Sequence, residues 1–422
     1  MPLFRRRDMH IAVCLLFSPI IIPTLLAWTP LITTIVFWSY LLTWGVYLRY
    51  AQTDNHKAAG RLPYLPLSPI RVYKVTVAAL GSLLFLGTRM LPIGVRWTIK
   101  KCFTKRSDST GKVCEDICYG SARPDKRLDV FTSDPTGRNP GEPLTQNVTY
   151  PKRPVIIFIY GGAWNSGSKE MYRPMATTLQ EKGYVVVVPT YSLYPIAYLA
   201  EMVSDIRAVV IWTHDHIRTY GGDPNNVYLM GHSAGAHLAA YTVIHDAVGS
   251  HVKFTKKHFL ELSLPVYSTP LPRVQGLILL SGIFDTVDHY GFESRRGVEE
   301  VSAMARVMGT KTKLLRGSSP TYLLEAYNSK LVVNGKPLRS VPSHFLIIHG
   351  TKDHTVPVSS SRKFAQFLEK AGISHISLHI LEGVDHSQLV TDLMLPTTAY
   401  AQKFLRLLER FVADSTLNPR RF

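Results

Sequence analysis

Leu229-Met230-Gly231-His232-Ser233-Ala234-Gly235-Ala236-His237-Leu238 joins two kinds of sequence at one serine. Asn226 to Met230 reads as a strand and Ala236 to Ile244 as a helix, with Gly231-x-Ser233-x-Gly235 between them. A sharp strand-to-helix turn lifts the serine hydroxyl to the end of a sheet, and glycines two residues either side let the backbone make it. The free N–H groups of the helix N-terminus behind the serine suit a developing oxyanion. A bare GxSxG arises often by chance, so its partners decide the reading.

Three partners stand at strand ends. Pro154 to Tyr160 is a continuous apolar run, as in a central parallel strand buried on both faces. It runs into Gly161-Gly162-Ala163-Trp164, where small residues leave backbone N–H groups open to a site. Asp353 follows the run Phe345 to His349, and His386 follows Ile376 to Leu381. The order Ser…Asp…His, each just past a strand, suits an acyl-transfer triad.

Each role follows from chemistry. Ser233 is a weak nucleophile until a base takes its proton, and histidine has the matching pKa, which selects His386. Asp353 would hold the imidazole tautomer and stabilise the imidazolium. The N–H groups of Ala234 and of the turn Gly161, Gly162 and Ala163 would bind the oxyanion. Asp285, which follows the apolar run Val274 to Leu280, is the alternative acid or a pocket residue. His232, His237, His349 and His354 lack an acid partner by order and read as packing or surface histidines. Asp385 adjoins His386 but, as a neighbour on a loop, is discounted.

The stretch Tyr220 to Ala240, with Gly161-Gly162-Ala163-Trp164 before it, resembles the esterase/lipase branch of the α/β-hydrolases. Within that branch it is most similar to the isoprenylcysteine methylesterases and their kynurenine-formamidase-like relatives. The resemblance covers about residues 125–412. It implies a mostly parallel sheet with helices on both faces, and it assigns the family's triad to Ser233, Asp353 and His386. One departure stands out: many relatives have His-Gly-Gly before the oxyanion turn, and here Tyr160 takes the histidine position. That weakens a formamidase reading but leaves the oxyanion donors, which are backbone groups.

The 422 residues hold one large α/β domain plus an appendage. Residues 1–105 form an N-terminal membrane region, with apolar segments 11–28 and 31–48, together too long for one crossing, and a third at 75–93 that carries Arg89. A helical hairpin turning near Thr29-Pro30 is the simplest expectation; a cleaved signal peptide is the alternative for the first segment. Residues 106–124 read as a linker, 125–412 as the catalytic domain with cap helices in an insert at about 286–342, and 413–422 as a tail. Alternating strands and helices elsewhere argue a parallel sheet.

The net charge of +18 is concentrated in residues 1–123, which hold 16 Lys and Arg against 5 Asp and Glu. Basic residues flanking apolar segments mark membrane topology and anionic-lipid contact, and no nucleic-acid signature accompanies them, so no nucleic-acid partner is expected. The positive-inside rule favours a cytosolic catalytic domain on a membrane such as the endoplasmic reticulum; the sequon Asn147-Val148-Thr149 argues for the lumen. Cys102, Cys114 and Cys118 leave room for one disulfide, and Cys14 lies in an apolar segment. Their spacing suits zinc poorly, and no metal or other cofactor is expected.

The sequence reading is a membrane-anchored serine carboxylesterase acting on a hydrophobic ester. Prenylcysteine methyl esters lead, a lipid or sterol ester deacetylase is the runner-up, and a catalytically inactive binding protein is the reading from another class.

Overall fold

The structure is a computed structural model that describes residues 6–50, 65–103, 112–120, 125–132, 152–251, 267, 269–334 and 341–417. Asn147 lies outside them. Two compact units emerge: residues 1–84 with 296–301, and residues 85–295 with 302–422.

The first unit contains helix α1 (Arg6–Tyr50) and most of α2 (Pro69–Phe85). The expected turn at Thr29-Pro30 is absent: α1 runs straight through it. A proline inside a helix forfeits one backbone bond but does not by itself reverse the chain. Here the hydroxyls of Thr33 and Thr34 donate to the carbonyls of Thr29 and Pro30. The antiparallel pairing comes later, between the second half of α1 and α2. Tyr40 Oη donates to Leu67 O at 2.8 Å, Trp44 Nε1 to Pro66 O at 3.1 Å and Thr43 Oγ1 to Val72 O at 3.2 Å. Arg71 pairs with Glu299 and Glu300, and Tyr47 Oη donates to Glu300. Polar bonds thus join α1 to the start of α2 and to the residues just before it, while Phe37, Trp38, Leu41, Ile70, Tyr73 and Leu80 face outward. Trp28–Tyr50 and Pro69–Val95 are long and apolar enough to cross a membrane.

The second unit holds an eight-stranded sheet in the order β1-β2-β4-β3-β5-β6-β7-β8. Its strands are β1 (Lys112–Cys118), β2 (Arg127–Thr132), β3 (Arg153–Ile159), β4 (Val185–Pro189), β5 (Gly222–His232), β6 (Gly276–Leu280), β7 (His344–Gly350) and β8 (His375–Leu381). β2 runs antiparallel to both β1 and β4, and every other neighbouring pair is parallel. The apolar runs read as strands occupy the centre: β4, β6 and β7 are buried throughout, as two-sided burial requires.

Strand β1 is the main departure from the sequence reading, for it lies within the 106–124 segment expected as a linker. It is an edge strand of alternating exposure with a bulge between Cys114 and Ile117, where Asp116 has φ 57°. Such a strand needs no apolar run, and its charges protect the edge. Cys114 and Cys118 are free thiols, so each of the disulfides left open among Cys102, Cys114 and Cys118 is excluded.

α3 (Leu91–Phe103) precedes β1, and between the strands lie α4 (Arg173–Glu181), α5 (Leu199–His216) and α6 (Ala234–His251). The insert after β6 folds into α7 (Thr286–Arg296), α8 (Met304–Met308), α9 (Thr312–Gly317) and α10 (Pro320–Asn334). Its last helix is not a cap: α10 packs on α6 and on α11 (Val358–Lys370) as part of the layer covering the sheet. After β8 come α12 (Gln388–Met394) and α13 (Ala399–Leu417). α13 runs into the segment read as a tail, where Ser415 is buried 2.5 Å from Tyr228 Oη of β5.

Helix α6 is buried on all sides from Ala234 to His245, apolar except where threonine and histidine stand. Burial holds the His237 and His245 pKa values down at about 4, and burial with the neighbouring His386 holds His232 at about 3. These imidazoles are neutral when folded and titrate near 6.5 when unfolded. The unfolded chain therefore binds more protons below pH 6.5, and stability present above that pH is lost as pH falls towards 4. Unfolding of the detergent-solubilised protein is expected to show a midpoint that drops steadily between pH 7 and 4.5, with uptake of more than one proton. A midpoint flat over that range would contradict the neutral, buried histidines.

Candidate active site

Ser233 sits at the turn from β5 into α6 with φ 55°, a left-handed conformation that costs a non-glycine residue on the order of 1–3 kcal/mol. The flanking glycines make the turn possible. A β-carbon on Gly231 would stand 2.5 Å from Gly235 O, and one on Gly235 would stand 2.1 Å from Ile159 O of β3. Ser233 N–H donates to Leu280 O at 2.9 Å, so its amide is spent on β6. The amide of Ala234, in the first turn of α6, is among those a helix leaves without an internal acceptor.

The Gly161–Trp164 turn lies against this elbow. A β-carbon on Gly161 would come within 3.0 Å of Ser233 Cβ and 2.9 Å of His232 O. Gly162, Ala163 and Trp164 have φ of 129°, 49° and 60°. Gly162 O accepts from the N–H groups of Asn165 and Ser166 and from the Ser166 hydroxyl. In a trans peptide the next N–H points opposite, so Ala163 N–H faces away from the turn's interior. Trp164 is fixed by its indole N–H, which donates to His237 Nδ1 at 3.3 Å, while His237 Nε2–H donates to Ser318 O at 2.8 Å. Tyr160 does not enter the site. Its buried ring stacks on Tyr172 and packs on Tyr191, under the turn.

Asp353 and His386 emerge from the adjacent strands β7 and β8. Their loops are stitched together: Lys352 N–H donates to Val384 O at 3.0 Å, and Gly383 N–H donates to Thr351 Oγ1 at 2.9 Å. His386 Nδ1 donates to Asp353 Oδ2 at 2.7 Å. His349 Nε2 lies 3.1 Å from the same oxygen, and Oδ1 accepts from the N–H groups of Thr355 and Val356, both at 2.8 Å. Burial by itself would raise the Asp353 pKa. The partners His386 and His349 outweigh it and hold the carboxyl far below the usual carboxylate range, so it stays ionised.

The rival acid is otherwise engaged. Asp285 Oδ1 accepts from the N–H groups of Val287 and Asp288 at the start of α7, and Oδ2 pairs with Lys363 at 2.5 Å. Two residues read as packing histidines prove to touch the site: His349 orients Asp353, and His232 Nε2 lies 3.0 Å from the backbone oxygen of His386. His349-Gly-Thr-Lys-Asp353, with the histidine closing a strand, is the signal that could have revealed the first. His354 is exposed.

A family model described as BD-FAE matches residues 144–368, and the chain belongs to that α/β-hydrolase family. A relative from Arabidopsis thaliana, named a probable isoprenylcysteine alpha-carbonyl methylesterase, is 30% identical over 277 residues, 66% of this chain and 51% of its own. The chain thus spans about half the length of that relative. A kynurenine formamidase from Danio rerio is 28% identical over 300 residues, 70% of this chain and 81% of its own. Among solved structures, the inhibited esterase B of Lactobacillus rhamnosis has a TM-score of 0.55 at 15% identity, covering 78% of this chain and 97% of that one. At that identity the likeness speaks to the fold.

Asp353→Asn is expected to lower kcat for ester hydrolysis by on the order of 10⁴-fold, because the amide favours the wrong His386 tautomer. Asp285→Asn, which keeps an acceptor for the first N–H groups of α7 but gives up the pair with the partly exposed Lys363, is expected to cost about 0–1 kcal/mol of stability and to leave kcat within a few-fold. Kinetics and thermal melts of the two variants, side by side, check this; the reverse ranking in kcat would make Asp285 the acid.

Proposed function

We propose that the protein is a membrane-anchored serine carboxylesterase with Ser233 as nucleophile, His386 as general base and acid, and Asp353 as the orienting carboxylate. The observation that carries this is the 2.7 Å bond from His386 Nδ1 to an ionised Asp353, at strand ends beside the strained Ser233 turn. With Nδ1–H held by the carboxylate, the Nε2 lone pair is free to accept a proton. Ser233 Oγ adds to the ester carbonyl carbon while its proton passes to His386 Nε2. The negative oxygen then takes hydrogen bonds from the N–H groups of Ala234 and of the Gly161–Ala163 turn. Collapse breaks the ester C–O bond, and the departing alkoxide leaves as alcohol with the proton from His386. Water, deprotonated by the same imidazole, adds to the acyl-serine and releases the acid.

The substrate class follows from the anchor. Trp28–Tyr50 and Pro69–Val95 would hold the enzyme on a bilayer, where an ester of a long-chain lipid is itself concentrated by about 0.8 kcal/mol per buried CH₂. A prenylcysteine methyl ester combines such a tail with a small leaving alcohol, and the name of the Arabidopsis relative points the same way. A sterol ester satisfies the same partition argument. A formamide is disfavoured because Tyr160, in place of the family's histidine, is packed away beneath the turn. We place the catalytic domain on the cytosolic side of the endoplasmic reticulum, on the strength of the basic flanks of the apolar segments.

The full-length protein in lipid vesicles is expected to hydrolyse farnesylcysteine methyl ester faster than an acetylated sterol, and both faster than N-formylkynurenine. It is also expected to stay with membranes through an alkaline carbonate wash. Faster turnover of the sterol ester would replace the substrate, and faster turnover of the formamide would remove the argument from Tyr160. Extraction by carbonate would remove the anchor.

A further inference from the structure

His232, one residue before Ser233, is 7% exposed and has no part in the proton transfers above. Its Nε2 lies 3.0 Å from the backbone oxygen of His386. A carbonyl oxygen only accepts, so Nε2 carries the hydrogen and the tautomer is set. The other nitrogen faces the oxyanion turn, where a β-carbon on Gly161 would stand 3.0 Å from Nδ1. The ring itself lies 4.8 Å from that of His386, tilted by 44°. One buried imidazole therefore touches the loop of the proposed base, the nucleophile's own turn and the oxyanion turn.

The other bonds of the His386 loop lead elsewhere. Val384 O and Gly383 N–H bind the loop after β7, as does the His386–Asp353 pair. Asp385 Oδ1 accepts from the N–H groups of Ser387 and Gln388, and so serves the loop itself. Asp385 Oδ2 pairs with Arg89 at 3.3 Å, but both side chains are about 40% exposed, and such a pair contributes about 0–1 kcal/mol. Among the described residues, the His232 bond is the one hydrogen bond between the His386 loop and the Ser233 turn. Without it, the register between nucleophile and base would rest on two separate strand ends.

We propose that His232 is a positioning residue that fixes the His386 loop to the Ser233 turn and so sets the distance over which the serine proton is transferred. This rests on the serine-esterase reading above. The bond is part-buried, neutral to neutral and close to the proposed reacting atoms, and misplacement by about 1 Å at such a site costs on the order of 100-fold in rate. A buried residue bonded to the His386 backbone acts on the proton transfer, so the loss is expected in kcat with KM spared. Burial, then the charge of a protonated His386, holds His232 at a pKa of about 3, which keeps it a neutral donor throughout the working range.

The test uses the full-length enzyme and a soluble short-chain p-nitrophenyl ester. His232→Leu, which removes the donor at similar volume, is expected to lower kcat roughly 10- to 100-fold with KM changed by less than about 3-fold. His232→Gln, which returns an N–H near the same place, is expected to recover most of the loss at an unchanged thermal midpoint. A residue with only a structural role would move the midpoint and would not separate kcat from KM. Should His232→Leu fail to fold, His232→Asn takes its place: polar, but too short to reach the carbonyl, it is expected to lose kcat as well. Wild-type kcat in a folded His232→Leu or His232→Asn protein overturns the proposal. Ser233→Ala and His386→Ala are measured alongside; if either retains activity, the serine-esterase reading fails, whatever His232 does.

Discussion

The site depends on how closely helix α6 approaches strand β3. At Gly235 the backbone of the helix lies so near the carbonyls of Ile159 and Tyr160 that a β-carbon would stand 2.1 and 2.5 Å from them. That contact brings the N-terminus of α6 up to the end of β3. It forces Ser233 into the left-handed turn and lays the Gly161–Trp164 loop against the serine. The strain at Ser233 is held by buried neighbours: its amide is bonded to Leu280 of β6, and the motif glycines leave no slack on either side. One steric constraint thus places the hydroxyl and the amide donors on the same small region, before electrostatics enters.

Electrostatics then sorts the buried polar groups into two kinds. Asp353 is ionised because it receives two histidine contacts and two backbone N–H groups, which together outweigh the cost of burial. His232 and His237 are neutral because burial disfavours their charged forms and outweighs the carbonyl oxygens they meet. An ionised Asp353 thus stands beside His386, with His232 and His237 close by as neutral imidazoles.

Much of this was legible in the sequence where the signal is local. Central strands show as apolar runs, and the residues that follow them, Ser233, Asp353 and His386, are chemically distinctive. What the sequence hid depends on neighbours far along the chain. β1 is an edge strand whose polar residues suit its exposure, so nothing in Lys112–Cys118 distinguishes it from a linker. The turn expected at Thr29-Pro30 assumed that a proline ends a helix, whereas α1 continues and finds its partner in α2. Helix α10 was assigned to a cap by position, although its contacts with α6 and α11 make it part of the sheet's cover. The bond of His232 reaches a carbonyl 154 residues away, and no pattern within its own motif predicts that.

The central claim is that the serine in this turn is a nucleophile activated by its surroundings. Treating the folded, detergent-solubilised protein with a fluorophosphonate and mapping the adduct by peptide mass spectrometry tests it most directly. The account predicts one stoichiometric adduct, on the peptide containing Ser233, that forms in the native protein and not after denaturation. An adduct at another serine, or none on protein shown to be folded, would contradict it.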